Sequence, residues 1–306
     1  MHDKNSQLDQ LLADFGALSE VRIVVADLDG TLLHSKLPVR EQIATLVRGL
    51  WAKQVRFSIA TGRALKGVSN ILPTLRLPKT TPIALYNGSY CCDAQCSRII
   101  HCAAFGTDTI NTLVQAAAVA GCDILFYPMP IIGEGVDASA PFGIAATDLI
   151  PQIVEPNGYQ VNWITQHEIA MIPECVASLV MLGNAVKMDT DLRNTFVTDQ
   201  TSATTSGGPY IEIRPKGSNK GVAVAAICKE FGIDLKSALA IGDNDNDVEL
   251  LMSVGHGVAV GNASERLRAV AGRQTKLSSA RGCMEIMRAV IAAKRYRNVF
   301  RPNAEE

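Results

Sequence analysis

The chain has 306 residues, 47% of them hydrophobic, so it can bury a large core and is long enough for two domains. Its 29 Lys and Arg against 30 Asp and Glu leave a net charge of −1, which excludes a general basic field for nucleic acid or a membrane surface. The polar first residues are not typical of a signal peptide, and no apolar stretch is long enough for a bilayer, so we expect a soluble cytoplasmic protein whose eight cysteines remain thiols.

The first part of the chain alternates predicted helices with predicted strands. Apolar residues between Leu8 and Leu18 are spaced as one face of a helix, which we expect to dock on the body of the protein, with a dimer contact as the alternative. Strands are then predicted at 21–26, 55–60 and 82–86, with one helix at 38–54 and another that follows Arg63 and runs to about Leu72. This alternation predicts right-handed βαβ units and a parallel sheet.

A different pattern occupies residues 89–208, which we expect to form an inserted domain. Its predicted elements are a hairpin at 90–105, a helix at 107–120, a strand at 122–127, a long loop at 128–143, a strand at 178–182 and a short helix near 189–197. Gly207-Gly208-Pro209 is a hinge-like break. The parallel pattern is predicted to resume after it, with strands at 210–214, 238–241 and around 257–260.

Two carboxylates follow the first predicted strand. Asp27 and Asp29 are two positions apart at the end of a buried run of β-branched residues. Side chains two apart in an extended chain point to the same side, so both can face one cavity. Two carboxylates at so short a distance repel each other, so they need a neighbouring cation or must share a proton. The pair favours a hard metal together with nucleophilic or acid–base catalysis.

Polar residues also follow other predicted strands. Thr61-Gly62 offers a hydroxyl and a flexible backbone that suit a phosphate oxygen. Asp243 is the first residue of an acidic segment that extends to Asp247. Lys220 is predicted at the start of a helix, where its charge and the positive helix end favour an anion. Open α/β sheets bind ligands beyond the carboxyl ends of their strands, so this set of groups suggests phosphoryl transfer.

Each of these segments has a structural alternative. Asp27 and Asp29 are compatible with turn and cap positions, and Thr61-Gly62-Arg63 is compatible with a plain N-cap and turn. Lys220 alone is compatible with a solvated helix position.

Cysteines crowd the predicted hairpin. Cys91, Cys92, Cys96 and Cys102 lie there with His101, but their spacing is not the usual two-pair zinc pattern. We interpret them as interior thiols of a sheet, with a zinc site as the alternative.

Taken in order, the segments 27–31, 60–63, 215–221 and 241–247, which contain Asp27, Thr61, Lys220 and Asp243, resemble motifs I to IV of the haloacid dehalogenase superfamily of phosphohydrolases. The resemblance is closest to the Cof-like subfamily, whose α/β cap domain is inserted between motifs II and III. Tyr86-Asn87-Gly88 resembles the core-to-cap junction of that subfamily, and the segments 257–263 and 282–284 resemble its C-terminal signature. The resemblance implies a Rossmann-like, doubly wound parallel core at 21–88 and 209–306 and an α+β cap at 89–208. Residues 1–20 are expected to be a helical extension, for which the family pattern gives no role.

The resemblance also implies a role for each catalytic carboxylate. Asp27 would be the nucleophile that becomes an aspartyl phosphate, and Asp29 would protonate the leaving oxygen and then activate water. Mg²⁺ would lie between the Asp27 carboxylate, the backbone carbonyl of Asp29 and Asp243.

Six further positions receive roles from the same resemblance. Thr61, with Gly62, and Lys220 would hold the phosphoryl oxygens, and Asn246 would touch the phosphate. Asp247 would orient the metal shell or the lysine, and Arg63 would reach the substrate or the cap.

The resulting prediction is a Mg²⁺-dependent phosphomonoesterase acting on a small phosphorylated metabolite such as a sugar phosphate, as a monomer or homodimer. Substrate contacts are expected from the hairpin and the 128–143 loop of the cap. Two alternatives stay open, a phosphomutase that returns the phosphoryl group to a sugar and a non-catalytic sensor of sugar phosphates.

Overall fold

The computed structural model describes residues 16–33, 41–131, 140–146, 160–181, 194–204 and 210–295. These residues form two compact units. The first unit contains the described residues up to 60, residues 70–81 and the described residues from 227 onward. The second contains residues 61–69 and the described part of 82–226.

Most strands are short. In chain order they are β1 (Ile23–Ala26), β2 (Arg56–Ile59), β3 (Pro82–Leu85), β4 (Tyr90–Asp93), β5 (Ile99–Cys102), β6 (Asp123–Pro128), β7 (Phe142–Ile144), β8 (Asn162–Trp163), β9 (Cys175–Met181), β10 (Thr201–Thr204), β11 (Tyr210–Pro215), β12 (Ala238–Gly242), β13 (His256–Ala259) and β14 (Arg273–Gln274). The α-helices are α1 (Glu41–Ala52), α2 (Leu65–Val68), α3 (Leu72–Leu75), α4 (Thr107–Ala120), α5 (Lys220–Glu230), α6 (Val248–Met252), α7 (Glu265–Val270) and α8 (Ser279–Arg295).

The first unit is built on a parallel sheet with the strand order β14-β13-β12-β1-β2. β1 pairs in parallel with β12 on one side and β2 on the other, and its four residues are fully buried. Helix α1 buries Ile43, Val47 and Leu50, which recur at helical spacing and so give it one apolar face. The predicted parallel α/β architecture is confirmed here.

The second unit contains two antiparallel or mixed sheets. A six-stranded sheet has the order β10-β11-β9-β6-β7-β8, and β3, β4 and β5 form a three-stranded sheet. Helix α4 contributes Ile110, Leu113 and Ala117 to a hydrophobic core that also contains Phe126 and Ile213. The predicted hairpin over 90–105 is confirmed, since β4 and β5 pair antiparallel.

Two strands differ from the prediction in their partners. We placed 82–86 and 210–214 in the parallel sheet, but β3 pairs antiparallel with β4, and β11 lies antiparallel between β9 and β10. The sequence of a short apolar strand indicates that the strand is buried, but it does not specify the partner strand or whether the pairing is parallel or antiparallel. Both depend on the hydrogen bonds formed in the folded protein. The cap boundaries at 89 and 208 stay a proposal.

Several predictions fall on residues outside the described ranges. The N-terminal helix is described only from residue 16, where 16–19 are helical, and much of the 128–143 loop and of the helix near 189–197 lies outside. The break at 207–209 lies wholly outside. Within the described chain, every helix is too short or too polar to cross a membrane.

Candidate active site

The loop after β1 carries the first predicted aspartate at the carboxyl end of the parallel strands. Asp27 continues the ladder by donating its backbone N–H to Ile241 O at 2.9 Å, and its side chain is only 5% exposed. The chain then turns, with Gly30 at a φ of +80°, and Asp29 lies exposed in that turn. The two predicted carboxylates therefore have different surroundings, one buried and one open to solvent.

A cluster of three carboxylates lies at this carboxyl end of the parallel strands. Asp27, Asp243 and Asp247 each offer an oxygen within 4.8 Å of the others. Carboxylate oxygens are the ligands that Mg²⁺ and Ca²⁺ take, and the negative charges of the cluster, two of them buried, would repel each other without a cation. The residues present fit the magnesium ion that the sequence predicted. Within the described residues, the carboxylate of Asp29 is not part of this cluster, and its backbone carbonyl as a metal ligand stays a prediction.

Neighbouring side chains fix the position of Asp243. Its Oδ1 accepts a hydrogen bond from Thr31 Oγ1 at 2.9 Å, and its Oδ2 accepts one from Asn262 Nδ2 at 3.2 Å. Asn262 also donates to the backbone oxygen of Gly30 at 3.1 Å. A Cβ placed on Gly30 would lie 2.1 Å from Asp243 Oδ2, so only glycine allows this close approach.

Asp247 holds the backbone of the second acidic loop. Its Oδ2 accepts from the backbone N–H groups of Asp243 at 2.9 Å and Asn244 at 3.2 Å, and the residue is fully buried. A Cβ on Gly242 would lie 2.6 Å from Asp247, so this turn also depends on a glycine. Asp247 therefore orients the loop that carries Asp243. Asn246 lies buried in the same 3₁₀ turn, and its contact with phosphate stays a prediction.

Thr61 and its neighbours belong to the second unit. Thr61 donates its backbone N–H to Ala84 O at 3.0 Å, and its own carbonyl accepts from Asn87 N at 3.0 Å. Its hydroxyl accepts from Arg63 N at 3.1 Å. The guanidinium of Arg63 donates to Gly67 O at 2.9 Å within its own loop, and its predicted contact with substrate or cap stays untested.

Lys220 is the first residue of α5 and is fully buried. Gly88, at a φ of +94°, packs so closely on the helix start that a Cβ there would lie 2.2 Å from Asn219 O. The side-chain amide of Asn87 donates to Glu212, and Gly62 packs against the same amide, since its Cβ would lie 3.0 Å away. Thr61, Gly62 and Lys220 are thus arranged around one segment, Tyr86-Asn87-Gly88.

Sequence reasoning missed four residues that hold predicted site residues in place within their own units. Thr31 and Asn262 hold Asp243, while Asn87 and Glu212 hold the Thr61 loop. Three of them lie inside segments that the sequence had already singled out. Glu212 is an acid within a strand and carried no signal, because its role depends on a partner 125 residues away.

Comparisons with known proteins agree with this fold. A model of haloacid dehalogenase-like hydrolases matches residues 24–287. The phosphoglycolate phosphatase of Aeropyrum pernix is 27% identical over 289 residues, covering 92% of this chain and 98% of that protein.

Two solved structures are similar over most of their length. A phosphatase of the haloalkanoate superfamily from Bacteroides thetaiotaomicron gives a TM-score of 0.73 at 19% identity, covering 89% of this chain and 96% of that one. A subclass IIB sugar phosphatase of the same superfamily gives 0.71 at 18% identity, covering 88% and 98%. The family model spans most of the chain and both structures share its fold, so the chain belongs to the haloacid dehalogenase-like hydrolases and is a phosphatase-type enzyme of that family.

Proposed function

We propose that this enzyme is a Mg²⁺-dependent phosphomonoesterase that hydrolyses a small phosphorylated metabolite through an aspartyl phosphate on Asp27. The observation that carries the proposal is the cluster of Asp27, Asp243 and Asp247 at the end of a buried parallel strand. A purely structural role for three carboxylates within 4.8 Å of one another is unfavourable, since like charges in a buried site repel.

Magnesium fits this donor set. Asp27 and Asp243 would hold it, together with the backbone carbonyl of Asp29, while Asp247 keeps the acidic loop in place. When bound, the ion would supply positive charge that offsets the repulsion between the carboxylate nucleophile and an anionic phosphate.

The two aspartates of the first loop divide the chemistry between them. A carboxylate oxygen of Asp27 attacks phosphorus, the ester P–O bond breaks, and the leaving oxygen takes a proton from the Asp29 carboxyl. Asp29 then accepts a proton from water as that water attacks the phosphorus of the aspartyl phosphate, which frees Asp27 and inorganic phosphate. The exposure of Asp29 supports this role, because water can reach its carboxyl group.

Family resemblance gives Thr61 and Lys220 the role of holding the phosphoryl oxygens, and Asn246 a further contact. The buried ammonium of Lys220 at the first turn of α5 supports an anion-binding role, since the charge and the helix end act in the same direction.

A sugar phosphate or a related small phosphate ester is the proposed substrate class. The relative from Aeropyrum pernix is a phosphoglycolate phosphatase, and one of the two structural neighbours is a sugar phosphatase. Both names describe small anionic phosphate monoesters, which suits a site whose recognisable chemistry is directed at the phosphoryl group.

The Asp27→Asn variant, assayed for hydrolysis of an aryl phosphate, tests whether Asp27 is the nucleophile. We expect the variant to keep its circular dichroism spectrum and to lose at least about a thousandfold in Mg²⁺-dependent turnover. Asp199→Asn, at an exposed position, is the matched control and should keep full activity. Retained turnover in Asp27→Asn would overturn the assignment.

A panel of phosphorylated metabolites, assayed for both free phosphate and isomerised sugar phosphate, tests the reaction type. Free phosphate that appears in step with substrate loss is the expected result. Isomerised product without free phosphate would identify a phosphomutase, and binding without either product would identify a sensor.

A further inference from the structure

Two thiols meet at the turn of the β4–β5 hairpin, in the second unit. The Sγ atoms of Cys92 and Cys96 lie 3.7 Å apart. A second sulfur pair lies nearby in the same unit, with Cys102 Sγ 3.5 Å from the thioether of Met129. The hairpin therefore contains one pair of thiols close enough to react with each other.

The turn itself holds the thiols in place. Asp93 is 2% exposed, and its carboxylate accepts hydrogen bonds from the backbone N–H and the hydroxyl of Ser97 at 2.6 and 2.5 Å. Cys96 donates its backbone N–H to Asp93 O at 2.8 Å and adopts a φ of +57°. A residue other than glycine is strained at such a φ, and surrounding contacts must hold it there. The hydrogen bonds that Asp93 accepts provide those contacts and so hold Cys96 beside Cys92.

The two thiols differ in exposure and in acidity. Cys92 is buried and Cys96 is half-buried, so an oxidant in solution reaches Cys96 first. The hydrogen bond that Cys92 donates lowers the pKa of the Cys96 thiol and raises that of Cys92. In contrast, burial raises the pKa of the neighbouring Cys91 to about 12. The thiolate is the reactive form, so this asymmetry provides an attacking thiol and a resolving thiol.

A metal site explains this pair less well. In the described part of the chain, the group of three or more side chains spaced to hold a metal ion is the aspartate cluster, and the hairpin thiols are not in it. Structural zinc takes four protein ligands, so two thiols alone do not make such a site.

We propose that Cys92 and Cys96 form a reversible dithiol–disulfide site that reacts with hydrogen peroxide. The Cys96 thiolate attacks one peroxide oxygen, the O–O bond breaks, and the departing hydroxide takes a proton to become water, which leaves a sulfenic acid. The Cys92 sulfur then attacks the Cys96 sulfur, an S–S bond forms, and the sulfenic hydroxyl leaves with the Cys92 proton as a second water. Two thiols are oxidised by two electrons, the peroxide is reduced, and an added dithiol reverses the change.

The geometry allows this bond. A disulfide needs an S–S distance of about 2.05 Å, so the two sulfurs must approach by roughly 1.7 Å. Rotation of the half-buried Cys96 side chain is the movement that brings them together.

Peptide mapping of the full-length protein after a brief hydrogen peroxide treatment and alkylation tests the site. We expect two of the eight thiols to be lost first, and the tryptic peptide 80–98, which contains Cys91, Cys92 and Cys96, to carry one alkyl group and to lack the two hydrogens that a disulfide removes. In a Cys91→Ser background, cleavage before Asp93 should then give two peptides that stay linked until dithiothreitol is added.

Variants separate the roles of the two thiols. Cys92→Ser should leave a sulfenic acid on Cys96 that dimedone traps. Cys96→Ser should react with hydrogen peroxide at least tenfold more slowly than the wild-type protein. Cys102→Ser, in the same hairpin, is the control and should still form the 92–96 link. A link from Cys96 to Cys102, or equal peroxide reactivity of Cys92 in Cys96→Ser, would overturn the proposal. These readouts do not depend on phosphatase activity.

Discussion

Gly30→Ala tests whether the loop after β1 positions a metal ligand. The substitution keeps every polar group of the site and adds a single methyl group. That Cβ would lie 2.1 Å from Asp243 Oδ2, whereas ordinary contacts begin at 3.4 Å, so the carboxylate must retreat by 3.4 − 2.1 = 1.3 Å. A retreat of that size breaks its hydrogen bonds with Thr31 and Asn262 and far exceeds the roughly 0.2 Å tolerance of a metal–ligand distance.

The expected loss is about 100-fold in Mg²⁺ affinity, or about 2.7 kcal/mol, at the upper end of what disturbed ligand support costs. The assay is the Mg²⁺-induced rise in thermal stability, which does not depend on catalysis. At a magnesium concentration of about 100 Kd the wild-type protein should gain ~2.7 kcal/mol, and Gly30→Ala should gain only ~0.4 kcal/mol at the same concentration.

Backbone strain needs its own control. Alanine at a positive φ costs about 1–2 kcal/mol wherever it occurs. Gly232 has a φ of +61° in the same unit, and a Cβ there would meet nothing within 4 Å. Gly232→Ala should therefore lose stability while keeping the full response to magnesium. A folded Gly30→Ala protein that responds to magnesium as the wild type does would refute the reasoning.

Three further predictions concern other contacts. Thr31→Val should lower Mg²⁺ affinity about tenfold because Asp243 loses a hydrogen bond, while Thr31→Ser keeps the hydroxyl and the affinity; equal titrations of the two variants would contradict this. Glu212→Ala should raise the inhibition constant of inorganic phosphate several-fold, since the amide of Asn87 loses its acceptor, with partial rescue by Glu212→Gln; an unchanged constant in the alanine variant would contradict it. Burial, and then Arg273, lower the pKa of His256 in the folded protein, so the unfolded chain binds more protons and stability falls as the pH drops below the usual 6.5. His256→Gln should show a smaller loss of melting temperature between pH 7 and pH 5, and an unchanged slope would exclude His256 as the cause.

The parallel core could be predicted because its signals are local. β1 is a continuous run of buried apolar residues, and α1 has apolar residues at helical spacing. Elements of this kind are recognised without knowledge of their partners. The position of Asp27 at the end of such a strand, and its proximity to Asp243, followed from the rule that ligands bind beyond the carboxyl ends of parallel strands.

The partners of two strands could not be predicted in the same way. β3 and β11 have strand-like sequences, but each pairs antiparallel outside the parallel sheet. Pairing direction depends on hydrogen bonds between segments that are distant in the chain. The inclusion of Asp247 in the carboxylate cluster is a similar case, because the sequence suggested only an orienting role for it.

The sequence by itself determined the fold class, the order of the chemical segments and the identity of two acidic residues that meet. Those properties depend on residue type and short-range spacing, which the chain carries directly. Only the tertiary structure decided that Thr31 and Asn262 hold Asp243, that Glu212 holds Asn87, and that two hairpin thiols lie in contact. Each of these is a contact between particular atoms, and it exists only once packing has fixed the backbone of both partners.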